Sequence, residues 1–346
     1  MSVLDSIRSS ASGKTVNDVD HGSVQQAGFL RRSQIAFATS VACLAGLGLA
    51  IESNYLLHIL ILALIWCVVV ASWDLLMGYA GLMNFGQLVF FAVGGYASQM
   101  LALQAGLGAL PSLFVAVAAS ASFGLLVGLP CLRLRGEYVA LFTFAVHLAF
   151  PTLLQLGRNH GTGGSAGLMG GQPLELFGYS LTSADKTAWF FLMLAIASFC
   201  VWLIYFVLLR GRMGLAFIAL RDAEQAARVL GVNEVRYRLL SFVISAGLTG
   251  LAGALYANYL GVIAPTVLGN EFFLIAMTML CVGGMGRFPG VILGAFVITI
   301  GNELLREFGE YRLLILGVIV VASTIWLPHG IAAWLKIPRL PFRTRL

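Results

Sequence analysis

Charged side chains are scarce in this chain of 346 residues: Asp, Glu, Lys and Arg together make up 10% of it. Soluble domains carry roughly 25%. Hydrophobic residues instead reach 59%, and several apolar runs approach the roughly 20 residues that a helix needs to cross a bilayer. This composition excludes a soluble protein and predicts an all-α polytopic membrane protein.

The residue patterns of enzymes and metal sites are also missing. Neither the histidines nor the cysteines show metal-ligand or catalytic spacing, and no Cys-x-x-Cys pair occurs. Gly13-Lys14-Thr15 ends like a phosphate-binding loop, but Arg8 stands where that loop needs a glycine. We therefore expect no enzyme activity, no metal, no bound cofactor and no ATP site in this chain. The five cysteines, interpreted as core residues, are Cys43, Cys67, Cys131, Cys200 and Cys281.

The apolar runs predict about ten transmembrane segments, some of them short or broken. One of them, 270–284, has an uninterrupted apolar run that would span only about 17 Å as a helix, so it is a candidate half-helix buried in the bundle. The ten predicted segments are 34–51, 55–76, 85–104, 110–130, 138–156, 188–209, 239–260, 270–284, 288–308 and 311–328.

The distribution of basic residues predicts the orientation. With ten crossings and a cytoplasmic N-terminus, 17 of the 21 Lys and Arg residues fall on the cytoplasmic side, as the positive-inside rule requires. The net charge of +6 thus follows topology and indicates no nucleic acid. The predicted organisation has polar and basic cytoplasmic tails (1–33 and 331–346) around a transmembrane domain (34–330) with a cytoplasmic loop (210–238) and an external loop (157–187).

Residues 210–238 carry six arginines between two long apolar segments. Small and apolar residues recur there at the spacing of one helix face. Glu224 precedes Arg228 by four residues, the better order for a helical ion pair, and Gly231 stands where a left-handed residue ends a helix. The pattern predicts one amphipathic helix within 214–231 whose alanine face docks against another protein. The candidate coupling residues are Arg221, Asp222, Ala223, Glu224, Ala226, Ala227, Leu230 and Gly231.

Two glycine-rich breaks, 78–87 and 283–290, flank short segments at predicted cytoplasmic positions. Paired interruptions of this kind point to a substrate path between transporter repeats, although glycines also simply form tight turns. Polar residues after the first break favour the path, because polar groups in a membrane core face the bundle interior or water. In 239–260 the small residues fit helix packing as well. The candidate path residues are Asn84, Gln87, Gly94, Ser98, Ser245, Gly283 and Gly284.

Two ionisable residues stand alone in apolar segments. Asp74 lies near the inner end of 55–76, and His147 lies in the middle of 138–156. Such groups are functional candidates, but a proton-coupled carrier needs a chain of them at mid-membrane. We expect His147 to form a hydrogen bond with a neighbouring helix. A secondary carrier or channel stays the alternative to a coupled permease; it would have no reason to hold an amphipathic helix at 214–231, and it would need titratable or ion-coordinating groups at mid-membrane.

Seven ordered stretches between about residues 50 and 335 match a known family. They are Gly78-Tyr79-Ala80-Gly81 with Asn84-Phe85-Gly86-Gln87 and Phe90-Phe91, Arg133-Leu134-Arg135-Gly136-Glu137-Tyr138, Thr162-Gly163-Gly164 with Gly167-Leu168, Gly211-Arg212-Met213-Gly214 leading to Ala219-Leu220-Arg221-Asp222, Glu224-x-Ala226-Ala227-x-x-Leu230-Gly231 with Tyr237, Gly283-Gly284-Met285-Gly286, and Leu327-Pro328-His329-Gly330. The chain resembles the permease subunits of bacterial ABC importers for branched-chain amino acids, of the LivM type.

This resemblance implies a set of partners in the bacterial inner membrane. A LivH-type permease subunit would complete the path, and two ATP-binding cassette subunits would hold the ATP and receive the coupling loop in a groove. A periplasmic binding protein would deliver the substrate to the external loop, where Thr162, Gly163 and Gly164 are the candidate contacts. Residues 1–30 and Gly170-Gly171-Gln172-Pro173 depart from the family pattern. Relatives carry urea, amides, aromatic acids and other small solutes, so the resemblance alone does not name the cargo.

Overall fold

The computed structural model describes residues 34–106, 108–134, 136–170, 174–176, 179–181, 184–309, 311–327 and 330–331. Within these ranges the chain is mostly helical. The α-helices are α1 (Gln34–Ala50), α2 (Asn54–Tyr79), α3 (Gln87–Gln104), α4 (Ala109–Cys131), α5 (Glu137–Leu156), α6 (Lys186–Leu208), α7 (Arg212–Asp222), α8 (Glu224–Val229), α9 (Glu234–Leu260), α10 (Asn270–Gly283), α11 (Gly290–Leu304) and α12 (Tyr311–Trp326). The predicted tail 1–33 and all but the first residue of 331–346 lie outside the described residues.

Five of these helices are long and apolar enough to cross a membrane: α2, α4, α5, α6 and α9. Three others, α1, α10 and α12, are apolar but shorter. The helical, membrane-spanning class is thus confirmed, and each of the ten predicted segments coincides with a helix. The number of complete crossings stays a prediction, because α10, α11 and α12 have only 14, 15 and 16 residues.

Helix α9 lies at the centre of the bundle and packs against α2, α3 and α4. Its glycines permit this close approach. A Cβ atom on Gly94 of α3 would collide with the backbone of Gly250, and one on Gly253 would collide with the backbone of Phe91. Small residues are typical of such membrane helix contacts. The small-residue stripe of 239–260 is therefore a packing surface.

Helix α10 begins beside the middle of α2. In its first turn, Phe272 stacks on Trp66 of α2 (6.1 Å between ring centroids) and Phe273 lies against Trp73 (6.1 Å). At 1.5 Å per residue, these tryptophans lie about 18 and 28 Å from the first residue of α2. Because α10 itself is only about 21 Å long, it is shorter than the roughly 30 Å hydrocarbon core of a bilayer; that it is a half-helix stays a prediction.

Two short antiparallel pairs of strands join parts of the loop 157–187 and the chain after α9, which the sequence predicts to be helix and loop. Strands β1 (Leu168–Met169) and β4 (Val262–Ile263) pair with each other, and β2 (Leu174–Leu176) pairs with β3 (Tyr179–Leu181). The first pair fastens the loop after α5 to the chain that returns from α9 towards α10.

Two helices end in a wider, π-helical turn at the end of the bundle that carries residues 210–238, here called the arginine-rich end. Helix α2 does so at Leu75–Tyr79 and α6 at Leu203–Leu208. Turns of this kind are frequent at functional sites. The rings of Tyr79 and Tyr205 meet edge to face (5.9 Å, 69°) and bring the two turns together.

Candidate functional site

The predicted single helix within 214–231 is two helices. The chain breaks at Ala223, which has φ −151° and ψ 68° between α7 and α8. The cause is packing, because the two helices bury different faces: α7 buries Phe217 and Leu220, whereas α8 buries Ala227. A shared face of Ala223, Ala226, Ala227 and Leu230 is therefore wrong. We call the whole stretch from Arg212 to Gly231 the coupling segment.

The exposed surface of the coupling segment is larger and more apolar than the sequence pattern predicts. Val229 and Leu230 are 88% and 83% exposed, whereas Ala227 is 3% exposed and packs inward. Ala223 and Ala226 are also exposed. The outward surface of α8 therefore ends in two large, exposed aliphatic side chains.

Four charged side chains hold α8 to the start of α9. Glu224 accepts hydrogen bonds from Arg228 (2.6 Å) and Arg238 (2.7 Å), and Glu234 pairs with the same two arginines. The predicted ion pair between Glu224 and Arg228 is confirmed. Gly231 has φ +85°, the left-handed conformation that its place after the helix predicts. These features make α8 a short rigid projection.

Arg221 connects the coupling segment to the first glycine break. Its guanidinium donates to the carbonyl oxygen of Gly78 (2.5 Å) and to the carboxylate of Asp222 (2.8 Å). The stem of the same arginine covers Gly81, which has φ +69°, and a Cβ atom there would meet the arginine side chain. Arg221 thus links α7 to the first glycine break at the end of α2.

Asp74 of α2 connects the second glycine break to the inner end of α2, next to the first break. This fully buried carboxylate accepts hydrogen bonds from the backbone N–H of Gly286 (2.6 Å) and from the hydroxyl of Tyr205 (2.9 Å). A Cβ atom on Gly78 would collide with both Asp74 and Gly286. Asp74 thus ties α2, α6 and the connection from α10 to α11 together. The sequence marks Asp74 as an ionisable functional candidate but not its role as a link, because Tyr205 and Gly286 lie far from it along the chain.

A buried polar network follows the first break. Asn84 donates to the side-chain oxygen of Gln87 (2.9 Å), and Gln87 donates to the hydroxyls of Ser245 (2.9 Å) and Thr249 (2.5 Å) of α9. Ser245 in turn donates to the carbonyl oxygen of Ser72 (2.6 Å). The structure thus brings three of the candidate path residues, Asn84, Gln87 and Ser245, into one network between α2, α3 and α9.

The other candidate path residues lie elsewhere in the bundle. Gly94 contacts α9, as described above, and Ser98 lies within hydrogen-bond distance of Ser112 (3.1 Å) and accepts from Asn258 (3.0 Å). Gly283 contacts the first turn of α11, and Gly284 has φ +92° and lies against Gly330. Their part in a substrate path stays a prediction.

The candidate contacts of the external loop form a compact turn after α5. The hydroxyl of Thr162 donates to the carbonyl oxygen of Leu154 (2.7 Å). Gly163 and Gly164 have φ +72° and +65°, and Gly164 is buried. The tight backbone at this position requires glycine, since a Cβ atom on Gly163 would collide with the carbonyl group of Gly167. Contact with a binding protein stays a prediction.

The expected hydrogen bond of His147 does not form. The imidazole is 1% exposed, and within the described part of the chain neither ring nitrogen has a hydrogen-bond partner. Its neighbours are aromatic: the ring lies 5.2 Å from that of Phe273 and 6.2 Å from that of Phe144, measured between centroids. The prediction failed because the facing helix presents phenylalanine side chains at this level.

Comparison with known proteins places these features in a family. Residues 55–324 match the family of the permease component of branched-chain amino acid transport systems. The chain is 34% identical over 292 residues to the high-affinity branched-chain amino acid transport permease LivM of Salmonella typhimurium, covering 78% of this chain and 68% of the relative. The LivM protein of Escherichia coli K12 gives the same identity and coverage.

A second group of relatives is more distant. The LivH permease of Escherichia coli K12 is 29% identical over 159 residues, which cover 45% of this chain and 50% of that protein. No solved structure matches the chain. The family match covers most of the chain, including α2 to α11, the coupling segment and both glycine breaks. The chain therefore belongs to the LivM-type permeases of branched-chain amino acid transport systems and is a multi-pass membrane protein.

Proposed function

We propose that this chain forms half of the translocation path of a binding-protein-dependent ABC importer for branched-chain amino acids. A LivH-type permease supplies the other half, since LivH and LivM proteins are both named as permeases of one transport system. Two ATP-binding cassette subunits bind and hydrolyse the ATP, and this chain has no ATPase site of its own. A periplasmic binding protein delivers the substrate. The complex lies in the inner membrane, with both termini of this chain in the cytoplasm.

The coupling segment is the observation that carries this proposal. It projects exposed Val229 and Leu230 from a charged, rigid turn, and it reaches both glycine breaks through Arg221 and Asp74. Docking of an aliphatic helix end into a groove on the ATPase is a known mode of recognition. Closure of the two ATPases would then move α7, and with it the inner ends of α2, α6 and α10.

A secondary carrier has no use for such a projection. It would instead need titratable or ion-coordinating groups along its path. The polar network of Asn84, Gln87 and Ser245 is uncharged. Within the described residues, the buried acidic or basic side chains are Asp74 and His147, which lie on different helices with no hydrogen bond between them. These features favour transport driven from the coupling segment.

Co-purification tests the proposal. The tagged chain is extracted from its native membrane in mild detergent, and the proteins recovered with it are identified by mass spectrometry. We expect a second permease and the ATPase subunits. Val229→Asp and Leu230→Asp should each lose the ATPases and keep the permease, because a charge replaces the apolar contact.

The matched control is Val235→Asp, which changes an exposed valine of α9 near the same end of the bundle and should retain the ATPases. Gly231→Trp should behave like the α8 variants, because φ +85° is strained for any other residue. Recovery of the ATPases at parental levels with both α8 variants would refute docking through this surface. A parent chain that is recovered without any ATPase would refute the importer.

A further inference from the structure

Three phenylalanine side chains surround the unpaired imidazole of His147. The ring centroids of Phe85, Phe144 and Phe273 lie 5.8 to 6.4 Å from one another, and the imidazole contacts two of them. All three phenylalanines are half-buried, whereas His147 is 1% exposed. The cluster is thus an apolar, partly accessible surface with one polar group at its base. We call these four residues the aromatic cluster.

An unpaired imidazole at such a place is costly. Burial of a polar group without a hydrogen bond lowers stability, and a substitution by phenylalanine would remove this loss. A neutral imidazole offers one N–H donor and one nitrogen acceptor. A ligand that carries both a hydrogen-bond acceptor and a donor on an otherwise apolar body would satisfy both nitrogens.

The start of α10 adds a second polar feature to the aromatic cluster. Phe273 lies in the first turn of α10, and its backbone N–H donates to the carbonyl oxygen of Gly269, the residue before the helix. The first N–H groups of any α-helix lack partners within the helix, and they attract a carboxylate. Glu271 in the same turn is ion-paired with Arg312, which offsets its repulsion of an anion. This N-terminus lies beside the middle of α2, where Phe272 and Phe273 contact Trp66 and Trp73, and its first residue Asn270 is exposed.

Hydrogen bonds of the first glycine break connect the aromatic cluster to α2 and α5. Phe85 belongs to the first glycine break, and its N–H donates to the hydroxyl of Thr143 on α5 (3.0 Å). Next to it, Trp73 donates to the carbonyl oxygen of Asn84 (2.6 Å). The turn Pro265–Leu268, which precedes α10, contacts α3 and α5. Movement of either break therefore changes the shape of the aromatic cluster.

We propose that the aromatic cluster and the N-terminus of α10 form a binding site for an α-amino acid with an apolar side chain. The phenylalanines contact the side chain, and His147 and the first amides of α10 bind the charged amino and carboxyl groups. Half-helix N-termini that point at carboxylates are a recurrent device of membrane transporters. The assignment rests on the proposed function, since it names the place where this subunit contacts the cargo.

Photo-crosslinking of the complete transporter tests the site. Membrane vesicles that contain the purified complex and its binding protein are loaded with photo-leucine, a leucine analogue with a diazirine side chain, and illuminated during ATP hydrolysis. We expect labelled peptides from α5 (residues 137–156) and α10 (residues 270–283). An excess of leucine should abolish this labelling, and an equal excess of serine should not, because serine lacks the apolar side chain.

Two variants sharpen the result. His147→Phe keeps a ring among the phenylalanines and removes both nitrogens, so labelling of α5 and α10 should fall at least fivefold. The matched control is His58→Phe, which changes a histidine of α2 whose Nδ1 lies 2.6 Å from the hydroxyl of Tyr259; its labelling should equal that of the parent. Phe273→Leu should raise the KM for leucine uptake and leave the ATPases bound.

Several outcomes would overturn the site. They are labelling confined to other helices, labelling that persists in excess leucine, and equal labelling of the parent and His147→Phe. The positions of the labelled peptides in the parent chain test the site even if a variant does not assemble into the transporter. Leucine uptake is measured in the same vesicles: its absence in the parent would refute the proposed function and this site with it, whereas ATP-driven uptake without labelling of α5 and α10 would refute the site alone.

Discussion

Replacing Asp74 by alanine should destabilise the arginine-rich end and uncouple it from transport. The substitution leaves two donors, the N–H of Gly286 and the hydroxyl of Tyr205, without their acceptor. Each buried group that loses its partner costs about 1–3 kcal/mol, so the free energy of unfolding should fall by about 2–6 kcal/mol. The loss also frees the second glycine break from α2.

Melting in the presence of a thiol-reactive dye measures this loss. Cys67 and Cys200 are buried, so their thiols react only on unfolding, and Cys43→Ser removes an exposed thiol that would react in the folded protein. Asp74→Ala should melt about 5 °C or more below its parent. The control is Asp222→Ala. This substitution removes a surface ion pair with Arg221, and such a pair contributes at most about 1 kcal/mol to the free energy of unfolding. Equal melting of Asp74→Ala and Asp222→Ala would refute the role of Asp74.

Three further outcomes are expected. Gln87→Leu leaves the amide nitrogen of Asn84 without its acceptor and removes the Gln87 hydrogen bonds to Ser245 and Thr249, which keep their bonds to Ser72, so the same dye assay should show a loss of about 1–3 kcal/mol; melting at the parental temperature would contradict the network. Gly94→Leu should prevent accumulation of the chain in the membrane, because α3 touches α9 at this position. The control Gly301→Leu has open space beside it, so immunoblots of membranes should show it at the parental level. Glu224→Gln should lose about 1 kcal/mol at low salt and less at high salt; a loss that does not depend on salt would contradict the ion pairs.

The features that the sequence predicted correctly are local ones. Apolar runs locate the helices because each run alone decides whether a segment prefers lipid. The pair between Glu224 and Arg228 and the left-handed Gly231 follow from spacings of four and seven residues along one chain segment. The short length of α10, 14 residues, was likewise visible, since an apolar run that is too short for a bilayer needs no knowledge of its neighbours.

The features that the sequence did not predict depend on distant contacts. Asp74 meets Tyr205 and Gly286 across 131 and 212 residues, which no periodicity along the chain encodes. The break at Ala223 arises because α7 and α8 pack on different parts of the bundle, although an alanine within a helical pattern gives no signal to stop. His147 lacks its expected partner for the same reason: the composition of the facing helix α10 was known, but its register against α5 was not.

Reconstituted uptake tests the central claim most directly. The purified complex is placed in proteoliposomes with radiolabelled leucine bound to the binding protein outside, and ATP or a non-hydrolysable analogue inside. We predict leucine accumulation that needs ATP hydrolysis and the binding protein, persists after ionophores remove all ion gradients, and disappears when Leu230 is replaced by aspartate. Accumulation that continues without ATP and collapses with the ion gradient would contradict the account and identify a secondary carrier.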